Sequence, residues 1–215
     1  ISEYITNNDS GLNWLRIGDI KEHSKYVTKT EEKIKKEGLK KTTFVKPGEL
    51  ILSNSMSFGR PYILKIETCI HDGWLALRNL SNQIDTDYLY YKINGSYLQQ
   101  RFDSLASGTG VKNLKRETVM SIKFSLPPLP EQKKIAEILS TWDEAIEKQQ
   151  ALIKQKKSLK KGLMQQLLTG KKRFSEFVTS EKLKETKIGM VPEDWEVVRL
   201  GDIADIGTGS SNKVD

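Results

Sequence analysis

The stretch "EQKKIAEILSTWDEAIEKQQALIKQKKSLKKGLMQQLLTG" occupies residues 131–170, and its reading decides the fold. Ile135, Ile138, Leu139, Trp142, Ala145, Ile146, Leu152, Ile153, Leu159, Leu163 and Leu167 keep one apolar stripe over about five heptads, the period of a continuous helix. Pro130 stands at its start and Gly170 just past its end, where helices favour those residues. A helix of about 38 residues reaches roughly 57 Å at 1.5 Å per residue, longer than a domain of this size can cover. The expectation is therefore an arm whose stripe is shared in an antiparallel helical pair; a long helix lying on its own domain is the alternative. Gln149 and Lys156 interrupt the apolar series at seam positions, as polar residues that fix register or partner number do. Acidic residues crowd the first turns (Glu131, Glu137, Asp143, Glu144, Glu147), and lysines crowd the second half and its exit (Lys154, Lys156, Lys157, Lys160, Lys161, Lys171, Lys172). That bias follows the helix dipole and suits an antiparallel partner, and it equally describes a solvated face.

Before the helix, residues 1–128 read as short apolar or alternating segments separated by turn formers: "NWLRIGDI", "KPGELILSN", "GRPYILKIE", "CIHDGWLALRNL" and "VMSIKFSLPP". Two stretches have helical spacing instead, "KTEEKIKKEGL" at 29–39 and "DTDYLYYKINGSYLQQRFDSLA" at 85–106, the second with an Asp cap. The expected class is α+β, a β-rich mixed domain carrying a long protruding helix. Met120, Ile122, Phe124 and Leu126 alternate as in a half-buried strand, ended by the prolines that follow. After the helix, "VRLGDIADIG" at 198–207 closely echoes "LRIGDI" at 15–20.

Charged residues make up 29% and apolar ones 37%, the profile of a folded chain and not of disorder. No apolar stretch approaches a membrane span and no leader opens the chain, so a cytoplasmic protein is the default expectation. Cys69 is the single cysteine, which leaves no disulfide framework and no thiolate metal cluster, and reads as a small buried hydrophobe. The net charge of +7 makes polyanions the first partner class to consider, because neutralising phosphates releases counterions.

Catalytic chemistry is hard to assemble. His23 and His71 lack ligand spacing, and "HDGW" at 71–74 has no accompanying nucleophile motif. "SGTGVKN" at 107–113 and "GTGSSNK" at 207–213 match neither the P-loop nor the dinucleotide-binding pattern. The first still gathers a Gly-Thr-Gly turn with Lys112, Asn113, Lys115 and Arg116, a combination that phosphates and base edges ask for, and "NSMSFGRP" at 54–61 repeats the mixture with Arg60.

The run "SIKFSLPPLPEQKKIAEIL" at 121–139, continuing through "WDEAIEKQQALIKQKKSLKKGLMQQLLTGKKRF", closely resembles the helical region of type I restriction-modification specificity subunits. "NWLRIGDI", "TEEKIKKEGLKKT", "VKPGELILSNSMSFGRP" and "GTGVKNL" resemble recurring elements of that family's target-recognition domains, and "VPEDWEVVRLGDIADIGTG" the segment that opens one. "LPPLP" is not the tetrapeptide of an adenine methyltransferase, since Leu126 precedes Pro127 and Leu129 follows Pro128. The resemblance implies a non-catalytic chain that reads half of a split DNA sequence in the major groove, with its helix as spacer. It implies methyltransferase subunits docked along the helix, restriction subunits reached through them, S-adenosylmethionine bound elsewhere, and no cofactor or metal of its own.

It also gives the echo a meaning, because the family's opening element here comes last. The expected organisation is a circularly permuted half-size subunit: residues 1–128 the main part of one recognition domain, 129–170 the spacer and dimerisation helix, 171–186 a linker, and 187–215 a segment folding back to complete the domain. Two copies would rebuild the whole by an antiparallel helix pair through Ile135, Ile138, Leu139, Trp142, Ile146, Leu152, Ile153, Leu159 and Leu163. A piece of a two-domain subunit is the rival; the half-size form is favoured over it because a stub would leave Trp195, Val197, Val198, Leu200 and Ile203 exposed unless they pack somewhere. Candidate DNA contacts are Ser53, Asn54, Ser55, Arg60, Thr109, Lys112, Asn113, Lys115 and Arg116, with Lys25, Lys29 and Lys33 as outer phosphate contacts. The competing function is a coiled-coil or anti-restriction module that occupies the methyltransferase without reading DNA.

Overall fold

The computed structural model describes the chain except for residues 7, 21–23, 55–57, 107–112, 208 and 210–215. It divides into two units, 1–144 and 145–215, with the boundary inside one long helix.

The first unit is built on two sheets. One has the order β1 (Ile5–Thr6), β4 (Glu32–Ile34), β2 (Leu12–Leu15), β8 (Thr68–Ile70), β5 (Thr43–Val45). The other has the order β3 (Tyr26–Val27), β7 (Pro61–Leu64), β6 (Leu50–Ser53), β9 (Trp74–Leu77). Pairing is mostly antiparallel, with β2–β8 and β3–β7 the parallel exceptions. Leu15, Val45 and Ile70 of the first sheet meet Val27, Ile51, Tyr62, Leu64 and Trp74 of the second in one buried cluster. The intervening residues Leu50, Leu52 and Ile63 turn to the opposite face and pack on helices α1 (Thr86–Asn94) and α2 (Ser96–Leu105) through Leu89, Ile93, Leu98 and Phe102. The second sheet is thus covered on both faces, which is why "ELILSN" is a continuous apolar run and not an alternation. Trp14, Ile34 and Cys69 form a third cluster, so the buried cysteine expected from sequence is found.

The α+β class holds, and the Asp85 cap is present, its Oδ1 accepting from the Tyr88 amide at 2.9 Å. Three local expectations are corrected. "KTEEKIKKEGL" is not a helix: Glu32–Ile34 is the strand between β1 and β2, and Lys36–Lys41 is a 3-10 turn. Two ladder partners outweigh the local spacing, and the turn lays Gly38 against Ile34, whose Cδ1 would lie 2.6 Å from an added Cβ. The helix over 85–106 is two, because Gly95 takes an extended conformation (φ −65°, ψ 145°) between α1 and α2. The strand expected through Met120–Leu126 is instead helix α3 (Arg116–Ser121) followed by an irregular segment. Val119 and Ile122, three residues apart, pack on the α1–α2 core, while Met120 is 73% exposed. The helical period and not the alternation matches the buried side.

Helix α4 runs Leu129–Leu167, 39 residues, close to the length expected, and Gly170 beyond its end has φ +71°. Its first four turns are seated by polar residues. Gln132 is fully buried: Oε1 accepts from the Asp85 amide at 2.9 Å, and Nε2 donates to the Gln83 and Pro127 carbonyls at 2.8 Å each. Ala136 is buried one turn later, and Ser140 and Asp143 bond to side chains of the domain. Of the apolar stripe, Ile138, Leu139, Trp142, Ile146, Leu152, Ile153, Leu159 and Leu163 are exposed, and Ile135 is half-buried.

In the second unit, the segment after the helix is held by a hairpin of β10 (Leu183–Thr186) and β11 (Gly189–Pro192), so the stretch read as a linker contains a strand. Arg173 forks onto Asp194 at 2.6 and 3.0 Å and stacks 5.4 Å from the Trp195 ring, and Thr179 donates to the same carboxylate through its amide and hydroxyl. These donors, Arg173 first, hold the Asp194 carboxyl well below the usual carboxylate range. Gly170 is required twice here, by its positive φ and because an added Cβ would lie 2.5 Å from Pro192. The echo of the sequence is also an echo of structure. At Ile17–Asp19 and again at α5 (Leu200–Ile203), an aspartate three residues on accepts from the amide of the capping arginine: Arg16 to Asp19 at 2.9 Å and Arg199 to Asp202 at 3.4 Å. Ile17 and Ile20 pack on the inter-sheet core, whereas Leu200 and Ile203 are each 66% exposed. No described helix is long and apolar enough to cross a membrane.

Candidate nucleic-acid interface

Strand β6 ends at Ser53, Asn54 follows it, and both hold loops together. The Ser53 amide donates to the Arg60 carbonyl at 3.0 Å, the Arg60 amide donates to Ser53 Oγ at 3.1 Å, and Gly59 donates to the Ser53 carbonyl at 2.9 Å. The β6–β7 loop is thereby pinched shut at its base, with Gly59 at φ +73°. Gln99 of α2 donates to the Gly59 carbonyl at 2.8 Å, tying the loop to the helical layer.

Asn54 joins this loop to two others. Its amide donates to the Gly73 carbonyl at 3.1 Å and its Nδ2 to the Asp72 carbonyl at 2.6 Å, while its own carbonyl accepts from the Leu114 amide at 3.0 Å. Leu114 is 1% exposed and anchored in the helical core. Its neighbours Asn113, Lys115 and Arg116 are consequently held outward, and all three are exposed. The 54–60, 71–73 and 113–116 segments therefore meet at one buried asparagine.

The structure brings together Ser53, Asn54, Arg60, Asn113, Lys115 and Arg116 of the residues singled out from sequence. Ser55, Thr109 and Lys112 lie outside the described residues. Ser53 is fully buried and Asn54 is 8% exposed, and both hydrogen-bond to backbone carbonyls, so they shape the loops while Arg60, Asn113, Lys115 and Arg116 beside them are exposed. The outer lysines are not tied into this cluster. Lys29 is exposed, and Lys33 is held by the Asp9 carboxylate at 3.0 Å. Lys25 is corrected outright: 8% exposed, it points inward, Nζ lying 2.7 Å from Asp87 and 3.1 Å from both the Tyr91 and Ser140 hydroxyls. Burial alone would lower its pKa, but hydrogen bonds to Asp87 and Tyr91 and the Asp87 charge outweigh it and raise the value above that of ordinary lysine.

From sequence, His71 is weighed only for metal and nucleophile chemistry and is not placed among the candidate DNA contacts. Its Nδ1 accepts from the Gly73 amide at 2.8 Å, which leaves the ring proton on Nε2 as a donor. The ring stands 5.8 Å from Trp14 and 6.4 Å from Trp74. The signal was the quoted "HDGW": Gly73 sits so close that an added Cβ would lie 2.3 Å from the imidazole. Among the described residues no cluster of His, Cys, Asp and Glu could hold a metal ion.

Comparison with known proteins bears on family and fold. Residues 2–156 match the family described as "Type I restriction modification DNA specificity domain". The chain is 40% identical over 138 residues to the type I restriction enzyme MjaVIII specificity subunit of Methanocaldococcus jannaschii, covering 63% of this chain and 30% of that protein. It is 36% identical over 130 residues to the putative MjaX specificity subunit of the same organism, covering 60% and 29%. The chain thus spans about three tenths of the length of these curated relatives. Among solved structures, the fold resembles a chain from a study of complex assembly and conformational transition of the type I R-M system, with TM-score 0.58, 17% identity and coverage of 77% and 40%. It also resembles the HsdS subunit from Thermoanaerobacter tengcongensis, with TM-score 0.51, 19% identity and coverage of 72% and 34%.

Proposed function

The chain belongs to the type I restriction-modification DNA specificity family, and from that premise we propose that it reads one half of a split duplex sequence and catalyses nothing itself. The observation that carries this reading is the convergence of three loops on Asn54, which presents Arg60, His71, Asn113, Lys115 and Arg116 from one edge of the β domain. Cations position a duplex through its phosphates, whereas the amide and the imidazole donor suit base edges in the major groove. Ser55, Thr109 and Lys112 belong to the same loops by sequence and complete the proposed set. Methylation and cleavage fall to separate subunits, the methyltransferase docking along α4.

The exposed stripe of α4 supports pairing with a second copy of the same helix. Its acidic first turns and lysine-rich second half are complementary when two copies run antiparallel, and the apolar series from Ile138 to Leu163 has the heptad spacing such a seam requires. Residues 187–215 are proposed to supply the opening element of a recognition domain. Leu200 and Ile203 stand ready for the kind of β core that covers Ile17 and Ile20.

The test is binding to duplex DNA across a salt series. The reading expects log affinity to fall steeply with log salt, by a slope of about 0.9 for each phosphate neutralised, and Arg116→Ala to lower that slope by about one. A slope near zero would refute it and favour a helical module that occupies the methyltransferase without reading DNA. Light scattering tests the pairing: a mass near twice the 24.5 kDa of the chain is expected, and a monomer at high concentration would refute it.

A further inference from the structure

Helix α4 is joined to the β domain by a polar cluster that neither the apolar stripe nor the loop site uses. Lys25 stands just before β3, Asp87 and Tyr91 lie one turn apart on α1, and Ser140 and Asp143 lie on the fourth turn of α4. The ammonium of Lys25 has three protons and three acceptors: Asp87 at 2.7 Å, the Tyr91 hydroxyl at 3.1 Å and Ser140 Oγ at 3.1 Å. The Tyr91 hydroxyl in turn donates to Asp143 Oδ2 at 2.6 Å and lies 3.1 Å from Ser140 Oγ. Aromatic faces complete the enclosure, with Nζ 4.4 Å from the Tyr91 ring centroid and 5.3 Å from those of Tyr26 and Tyr90. Every member is satisfied only when sheet, α1 and α4 stand in one relation.

Two attachment points define a direction. Gln132 fixes the first turn of α4 to the loop before α1, and the lysine cluster fixes the same helix eight residues on, about 12 Å along its axis at 1.5 Å per residue. The positions of the helix at and between these points that are buried or hydrogen-bonded to the domain are Gln132, Ala136, Ser140 and Asp143, at steps of four, four and three, with Ile135 half-buried beside them. Apolar contacts are non-directional. These hydrogen bonds are directed, and a shifted helix would strand the buried Lys25 ammonium.

We propose that Lys25, Tyr91 and Asp143 are positioning residues that fix the angle at which α4 leaves the β domain, and so set the number of base pairs between the two half-sites. This rests on the half-site reading above. The cluster then determines spacing without touching DNA, while the loops around Asn54 determine sequence.

The experiment compares the full chain with Tyr91→Phe, Lys25→Met, Asp143→Asn and Asp143→Ala. Each protein, assembled with its methyltransferase partner, selects from a library of randomised duplexes, and the spread of half-site separations in the recovered DNA is read. In parallel, spin labels at Lys46→Cys and Thr141→Cys, both exposed positions, report the distance between domain and helix; Cys69 is fully buried and stays in place. Tyr91→Phe keeps the ring and the fold, and is expected to widen both the label distance distribution and the spread of separations severalfold, with half-site base preferences unchanged. Asp143→Asn still offers an oxygen to Tyr91 and is expected to behave as wild type, whereas Asp143→Ala is expected to match Tyr91→Phe. Distance distributions and separations that stay as narrow as wild type in Tyr91→Phe and Lys25→Met would overturn the proposal. Should the wild type recover no common sequence, the half-site reading fails, and the label distances alone decide whether the clamp fixes the helix.

Discussion

Replacing Gln132 by leucine tests the seating of α4 most directly. The amide is fully buried and makes three hydrogen bonds, to the Asp85 amide and to the Gln83 and Pro127 carbonyls, all between 2.8 and 2.9 Å. Leucine has similar bulk, so no cavity opens, and the loss is that of three polar contacts. A typical buried hydrogen bond contributes about 0.5–1.5 kcal/mol net, and a stranded partner costs more. Gln83 is exposed and Pro127 half-buried, so water can reach those carbonyls and the lower part of the range applies to them. The Asp85 amide begins α1, and its loss is felt in full. The sum is a destabilisation of about 2–4 kcal/mol, to be read as a shift of the urea midpoint followed by the fluorescence of the buried Trp14 and Trp74. Gln132→Glu sharpens the argument. One oxygen of the introduced carboxyl can still accept from the Asp85 amide, but the other would face two carbonyls where an NH2 had donated. The charged form is disfavoured, so the folded-state pKa of the introduced carboxyl is raised above its unfolded value. The variant is therefore most stable in acid, below the unfolded pKa, and loses stability as pH rises through the folded one. A leucine variant within about 0.5 kcal/mol of wild type, or a glutamate variant indifferent to pH, would refute the reasoning.

Other expectations follow from single residues. Gly59→Ala places a side chain at φ +73° with its Cβ 3.1 Å from Phe102, so it should cost about 1–3 kcal/mol and loosen the loop carrying Arg60, read by thermal unfolding and by DNA affinity. Trp142→Glu and Leu152→Glu lie on the exposed stripe, and each should convert a dimer to a monomer in light scattering while leaving the unfolding midpoint at low concentration nearly unchanged. For Asp194, whose folded pKa is depressed, the stabilisation is present above the ordinary carboxylate value of about 3.9 and is lost as pH falls below it. Amide exchange in the 183–192 hairpin should accelerate in that acid range, and in Asp194→Asn it should be fast already at neutral pH.

What the sequence disclosed about the fold is a matter of range. The long helix, its glycine exit and the Asp85 cap depend on neighbours within a few residues, and each is where the pattern places it. Glu32–Ile34 depends on strands distant along the chain, β1 and β2, so its local helical spacing said nothing of the ladder it would join. The segment 116–126 fits two periods at once, and only the location of the α1–α2 core selects Val119 and Ile122 over the alternation.

The site divides along the same line. Exposed polar and cationic residues near a Gly-Thr-Gly sequence are legible because composition alone advertises them, and Asn113, Lys115 and Arg116 do stand outward. Lys25 has the same composition and the opposite fate, since nothing local announces that Asp87, Tyr91 and Ser140 will meet its ammonium. The two faces of α4 show why this matters. Hydrophobic periodicity marks Ile138, Trp142, Ile146 and Ile153 as the side to be buried, yet these stay exposed while Gln132, Ala136, Ser140 and Asp143 are the residues that seat the helix. A helix that docked on its own domain by its apolar stripe would have nothing left with which to pair. By attaching through directed polar contacts, α4 leaves the stripe exposed, as the proposed pairing with a second helix requires. Attachment and pairing are thus separable: breaking the polar face should loosen the angle of the helix without undoing the pair, and breaking the stripe should undo the pair without moving the helix on its domain.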